Sequence, residues 1–153
     1  MTTEINPTHT YYGRAPQTNG SVLVVEDDDA IRESLSTMLR EEGFLVHEAI
    51  NGLEAIGLLV NQELKPSLIL LDLIMPHMGG AEFLAALEKE SEWKDLRVAM
   101  LSAARVGAIS PMIVANLAKP VDIEELLGLV HFYAPSFPEK APCYQAASYP
   151  LLT

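Results

Sequence analysis

Residues 68–80 have the sequence LILLDLIMPHMGG, in which four apolar residues precede an acid and a turn-forming segment. A continuous apolar run of this length predicts a strand buried on both faces, and such strands occur almost only in parallel sheets covered by helices. Pro76 and the pair Gly79 and Gly80 predict an irregular loop after the strand. Asp72 should therefore stand at the C-terminal edge of the sheet, where open α/β folds bind ligands.

Strand-like and helix-like segments alternate along the rest of the chain. Short apolar runs predict further strands at 21–25, 44–49, 96–101 and 112–118. Apolar residues spaced three or four apart predict helices that begin near Ala30, Leu53, Phe83 and Asp122. This order predicts an α/β fold: a three-layer sandwich with a five-stranded parallel sheet, flanking helices and right-handed crossovers.

The composition is that of one globular domain without a membrane span. The chain has 153 residues, of which 49% are hydrophobic and 20% charged, and no apolar run is long enough to cross a bilayer. Acidic residues outnumber basic ones by 21 to 10, which gives a formal net charge of -11. Because this charge repels nucleic acid and anionic membranes, we expect neither nucleic-acid contact nor membrane insertion.

The two ends of the chain differ from its middle. Residues 1–20 have no apolar period, and we expect a flexible N-terminal segment there. Residues 134–153 contain four prolines and no helical stripe, which predicts a Pro-rich C-terminal tail. The folded domain should span residues 21–133. Cys143 is the single cysteine and the N-terminus has no secretory-signal pattern, so we expect a cytoplasmic protein.

Polar residues with related chemistry follow several of the predicted strands. They are Glu26 and Asp27 after the first strand, Asp72 at the end of the third, Ser102 after the fourth and Lys119 after the fifth. In a parallel sheet these strand ends share one edge. Three carboxylates brought together repel one another, and Mg2+ is the natural neutralising ion for oxygen ligands. Lysine and serine can then bind phosphoryl oxygens, so the edge predicts a phosphoryl site.

Asp72 is the candidate nucleophile of this site. It is the only one of these acids that ends a buried strand in the middle of the chain, and carboxylates are known to accept phosphoryl groups as aspartyl phosphates. Asp28 and Asp29 are better explained as a solvated helix start that complements the helix dipole. His77, in the loop after Asp72, is expected to be an exposed loop residue.

Four motifs in order resemble a known family. They are VVEDD at 24–28, LDLIMPHMGG at 71–80, LSA at 101–103 and AKP at 118–120. Together they are similar to the receiver domain of two-component response regulators, which has the CheY-like fold. The resemblance covers about residues 20–133 and implies a sheet with strand order 2-1-3-4-5.

The resemblance also implies a role for each matching residue. Asp72 would accept a phosphoryl group from a phosphohistidine on a sensor histidine kinase or phosphotransfer protein. Asp27 would bind Mg2+ directly, Glu26 more often through water, and the backbone carbonyl of Ile74 would complete the protein ligands. Ser102 and Lys119 match the hydroxyl and the amine that contact the phosphoryl group, and the Lys119-Pro120 bond is expected to be cis. Such a domain is not an enzyme beyond self-catalysed phosphotransfer and autodephosphorylation.

The sequence departs from the family pattern in two places. Asn116 stands where the family usually has Tyr or Phe, and 17 positions separate Ser102 from Lys119, which is short by about a helical turn. We therefore expect the helix between strands four and five to be short or irregular and the signalling face to be altered. Ile74 and Ala104 are apolar where polar residues can position attacking water, which predicts a long-lived phosphoryl state.

Three classes of function remain open from the sequence. The first is a stand-alone phosphoacceptor that signals by docking to a downstream protein, whose identity the sequence does not give. The second is a pseudo-receiver that serves as an interaction scaffold without phosphorylation, motivated by Asn116. The third is a phosphatase-type enzyme, which Ile74 disfavours because it occupies the place where a general acid would stand.

Overall fold

The computed structural model of the protein describes residues 20–103 and 110–134, which contain five strands and four α-helices. In chain order they are β1 Ser21–Val25, α1 Asp29–Glu41, β2 Leu45–Ala49, α2 Gly52–Asn61, β3 Leu68–Asp72, α3 Gly80–Lys89, β4 Val98–Ser102, β5 Ile113–Ala118 and α4 Ile123–Tyr133. A single turn of 3-10 helix, Ser91–Trp93, precedes β4.

The strands form one parallel sheet in the order β2-β1-β3-β4-β5, as predicted. Helices α1 and α4 pack on one face of the sheet, and α2 and α3 pack on the other. Strands β1, β3 and β4 are buried along their whole length because both faces are covered. The three-layer α/β fold class predicted from the sequence is therefore confirmed.

Side-chain caps fix the start of three helices at the C-terminal edge of the sheet. The carboxylate of Asp28 accepts a hydrogen bond from the backbone N–H of Ile31 at 3.0 Å, which confirms the helix-start interpretation of this acid. Asn51 caps α2 and Asp122 caps α4 in the same way, each at 2.9 Å. The caps hold the loops that follow β1, β2 and β5 in defined positions.

Some predicted boundaries differ from the structure, and others lie outside the described residues. Strand β4 begins at Val98 rather than residue 96, because Leu96 donates its N–H back to the Trp93 carbonyl at 3.0 Å and closes a turn. The predicted short or irregular helix between β4 and β5 falls mainly on residues 104–109, and the two end segments fall mainly on 1–19 and 135–153, all outside the described residues. The bounds 21–133 stay a prediction. No helix within the described ranges has the length and apolarity needed to cross a bilayer.

Gly80, the first residue of α3, lies against the end of β3. A Cβ atom at this position would stand 2.7 Å from the backbone oxygen of Asp72 and 3.0 Å from the Cα of Leu73. Both are backbone atoms, so the clash could be relieved only by moving the strand end or the helix. Glycine thus allows α3 to begin directly beside the acid that ends β3.

We predict that Gly80→Ala lowers the free energy of unfolding by about 1–3 kcal/mol, the usual cost of overpacking. The matched control is Gly128→Ala in α4, where an added Cβ has no atom within 4 Å. That control should stabilise the protein by about 0.4–1 kcal/mol because alanine loses less entropy on folding. Urea unfolding measures both changes, and equal effects would contradict the close approach.

Candidate functional site

Strand register brings Glu26 and Asp72 together. Val24 in β1 lies opposite Leu70 in β3, and both pack in the core beneath α1 and α4. Since side chains alternate along a strand, Glu26 and Asp72, two residues further on, emerge on that same side at the edge of the sheet. Adjacent parallel strands in register therefore place two acids side by side.

Lys119 enters the site from β5 by the same alternation. Leu117 of β5 packs in the core beneath α1 and α4, and Lys119 follows two residues later. Its Nζ lies 2.9 Å from Oε2 of Glu26 and 3.3 Å from Oδ1 of Asp72. One ammonium group thus bridges acids at the ends of two neighbouring strands.

Three carboxylates form a group that could hold a metal ion. One oxygen from each of Glu26, Asp27 and Asp72 lies within 4.8 Å of the others. Glu26 is 1% exposed and Asp72 is buried, whereas Asp27 is open to solvent. Three acids outnumber the single ammonium of Lys119, and all the donors are hard oxygen atoms. This donor set suits Mg2+, which binds through one or two carboxylates and keeps other positions for water or phosphate.

Burial and neighbouring charges shift the pKa values of Glu26 and Lys119. Burial raises the pKa of Glu26 above its ordinary value and outweighs the hydrogen bonds from Lys119 and the Asp28 backbone, which lower it. Burial alone would lower the pKa of Lys119, but the hydrogen bond to Glu26 and the charge of Asp72 outweigh it, so that pKa is raised. Lys119 therefore stays protonated at neutral pH.

Glu26 is held by hydrogen bonds to its backbone and to its side chain. Its N–H donates to the Ala49 carbonyl at 3.1 Å, and its Oε1 accepts from the N–H of Asp28 at 3.3 Å. Lys119 contacts the other carboxylate oxygen. The guanidinium of Arg32 donates to the Glu26 carbonyl at 2.9 Å. The sequence interpretation missed Arg32, because its position on an acidic helix start gave no sign of which atom it contacts.

The loop after β3 is tied to the start of α2. Gly52 donates its N–H to the Met78 carbonyl at 3.1 Å, and Gly80 donates to the Leu73 carbonyl at 2.9 Å. His77 adopts a positive φ of 69° and is exposed, as expected for a loop residue. Ile74, two residues after Asp72, is 81% exposed.

The remaining predicted residues lie on β4 and β5 or directly after them. Ser102 ends β4, is 6% exposed, and its carbonyl accepts the Lys119 N–H at 2.8 Å. The Lys119-Pro120 bond is cis, as predicted. Asn116 is exposed on β5. The structure therefore brings Glu26, Asp27, Asp72 and Lys119 together, while metal binding through the Ile74 carbonyl stays a prediction.

Comparisons with known sequences identify the family of this chain. The sequence profile described as "Response regulator receiver domain" matches residues 22–131. Protein PilG of Pseudomonas aeruginosa is 32% identical over 121 residues, which are 76% of this chain and 88% of PilG. Sporulation initiation phosphotransferase F of Bacillus subtilis is 31% identical over 127 residues, which are 76% of this chain and 95% of that protein. Against the DNA-binding dual master transcriptional regulator RpaA of Synechocystis, the identity is 34% over 116 residues, and the chain spans only 46% of RpaA.

Solved structures agree with the sequence comparison. The chemotaxis protein CheY4 of Vibrio cholerae superposes with a TM-score of 0.66 at 29% identity, covering 75% of this chain and 98% of that one. The response regulator TrrA of Thermotoga maritima, solved in complex with Mg2+ and BeF, gives a TM-score of 0.63 at 29% identity, covering 74% and 97%. The family profile covers more than half of the sequence, and the fold is CheY-like. This chain belongs to the response regulator receiver domain family.

Proposed function

We propose that Asp72 accepts a phosphoryl group from a phosphohistidine on a sensor histidine kinase or phosphotransfer protein. Receiver domains are phosphoacceptors that interact with such partners. The observation that carries the proposal is the position of the Asp72 carboxylate, which lies 3.3 Å from the Lys119 ammonium and within the group of three acids. A carboxylate beside both a cation and a metal-binding group has the chemistry of a phosphoryl acceptor.

Mg2+ is the cofactor of this proposal. Receiver domains bind Mg2+ at an acidic cluster, and Glu26, Asp27 and Asp72 would hold it here, with the Ile74 carbonyl as a further ligand. When bound, the ion would neutralise charge on the phosphoryl oxygens and on the crowded carboxylates. The donor set itself supports the proposal. All three side chains offer hard oxygen donors, and their combined negative charge exceeds the single positive charge of Lys119.

In the proposed transfer, a carboxylate oxygen of Asp72 attacks the phosphorus and forms a new P–O bond. The P–N bond to the imidazole of the donor breaks, and its electron pair remains on the imidazole nitrogen. Lys119, held at Asp72 by a 3.3 Å contact, would attract a phosphoryl oxygen electrostatically. Ser102 would donate its hydroxyl to another phosphoryl oxygen from the neighbouring end of β4.

Docking of a partner protein is the proposed output. Four large hydrophobic residues are exposed on loops or first helical turns after the adjacent strands β2, β1 and β3: Ile31, Ile50, Leu53 and Ile74. Exposed apolar side chains around an acidic centre suit a protein partner better than nucleic acid, because the net charge is -11. The downstream target is another protein in this proposal, and a cytoplasmic location is proposed from the family alone.

Acetyl phosphate with Mg2+ should add one phosphoryl group to the protein, as measured by intact mass. Asp72→Asn should abolish the addition, because an amide oxygen is a poor nucleophile. Asp95→Asn is the matched control, since Asp95 is exposed just before β4, at the opposite edge of the sheet. An unmodified wild-type chain would contradict the proposal and favour the phosphorylation-independent scaffold motivated by Asn116.

Ile74→Asn should speed phosphate release from the phosphorylated protein several-fold. Ile74 is 81% exposed two residues after Asp72, and a polar group there could orient the attacking water. Release of inorganic phosphate after removal of acetyl phosphate measures the rate. Ile50→Asn, the same change at an exposed residue after β2, should leave the rate unchanged. Equal rates for the wild type and Ile74→Asn would show that Ile74 does not limit hydrolysis.

A further inference from the structure

We propose that Arg32 is the positioning residue of the metal-binding loop and that its guanidinium sets where the Asp27 carboxylate stands. The inference rests on the proposed Mg2+ site. Arg32 belongs to α1 and contacts none of the three carboxylates of that site in the contacts described above. It acts on the peptide group between Glu26 and Asp27, which carry two of the three.

Arg32 forms hydrogen bonds to two oxygen atoms and lies within ion-pair distance of a third. One terminal nitrogen donates to the Glu26 carbonyl at 2.9 Å, and the other lies 2.6 Å from Oδ1 of Asp29. Its Nε lies 3.8 Å from Oε1 of Glu48. The side chain is only 15% exposed. A planar guanidinium with fixed donors suits this forked arrangement, which a single ammonium could not reproduce.

The carbonyl that Arg32 binds belongs to the peptide group that joins Glu26 to Asp27. Because a peptide group is planar, fixing its oxygen also fixes the direction of the Asp27 N–H and the position of the Asp27 Cα. Asp27 is exposed, so core packing does not hold it. The contact from Arg32 is therefore a direct constraint on the most solvent-accessible acid of the group.

Arg40 of α1 shares the ion-pair partner Glu48 with Arg32. Glu48 lies on β2, and its other carboxylate oxygen binds Arg40 of α1 at 2.9 Å. Arg40 also donates to the Val46 carbonyl at 3.3 Å. Two arginines of α1 thus share Glu48, but only Arg32 reaches the Glu26 carbonyl in the described hydrogen bonds. This difference makes Arg40 a matched control.

Positioning and simple electrostatics predict opposite effects of removing Arg32. The positive charge of Arg32 near the acids repels a divalent cation, so a pure charge effect would make Arg32→Gln bind Mg2+ more tightly. Loss of positioning would make the same variant bind Mg2+ more weakly, because residues that orient metal ligands typically contribute tenfold or more to metal affinity. The direction of the change separates the two explanations.

The experiment is a Mg2+ titration of the full chain by calorimetry, with the amide signal of Asp27 followed by NMR. Arg32→Gln should raise the Mg2+ dissociation constant by about tenfold. It should also shift the Asp27 amide signal before any Mg2+ is added. Arg32→Lys keeps a donor for the Glu26 carbonyl but loses the fork, so partial positioning should make it bind Mg2+ more weakly than wild type and more tightly than Arg32→Gln. Arg40→Gln removes the same charge without touching the Glu26 carbonyl, so it should change the Mg2+ dissociation constant and the Asp27 amide signal by much less than Arg32→Gln does.

Urea unfolding without Mg2+ first establishes which variants are folded under the titration conditions. If Arg32→Gln does not fold, Arg32→Lys decides, and wild-type affinity in that variant overturns the proposal. Unchanged or tighter binding by a folded Arg32→Gln also overturns it. A wild-type chain that binds no Mg2+ would instead refute the metal site of the proposed function, so the two failures can be told apart.

Discussion

The arrangement at the C-terminal edge of the sheet depends on repulsion between acids that the fold does not allow to separate. Glu26 is almost fully buried, Asp72 is nearly so, and Asp27 follows Glu26 directly. A buried carboxylate without a partner costs several kcal/mol, and the bridge from Lys119 offsets part of that cost. The remaining negative charge favours a divalent ion and a phosphoryl group. The same electrostatic constraint thus explains the lysine, the proposed metal and the proposed reaction.

The fold imposes this crowding through backbone geometry. The register between β1 and β3 sets Glu26 beside Asp72, and strand alternation brings Lys119 to the same side from β5. Gly80 lets α3 begin against the Asp72 backbone, where any larger residue would clash. A hydrogen bond from Gly52 to the Met78 carbonyl then ties the loop after β3 to α2. The strand register and the main-chain contacts leave Glu26 and Asp72 little freedom to move apart.

The sequence predicted the parts of the site that depend on strand ends. Asp72 and Lys119 each follow an apolar run, and parallel strands must end at one edge, so their proximity could be inferred without coordinates. The contact from Arg32 could not, because it depends on how α1 is rotated above β2 and on which atom a long side chain reaches. The start of β4 was predicted two residues too early, because Leu96 is apolar like the strand but closes a turn on the Trp93 carbonyl. Patterns in sequence report burial well and side-chain direction poorly.

The most direct test of the central claim is the free energy of unfolding of wild type and Asp72→Asn, measured in urea with and without Mg2+. Removing one of three crowded acids should leave the variant at least as stable as wild type without Mg2+. Wild type should gain stability as Mg2+ is added, by an amount that follows its binding constant, and the variant should gain much less. If the variant is less stable without Mg2+, or responds to Mg2+ as wild type does, then repulsion among these carboxylates does not organise the site.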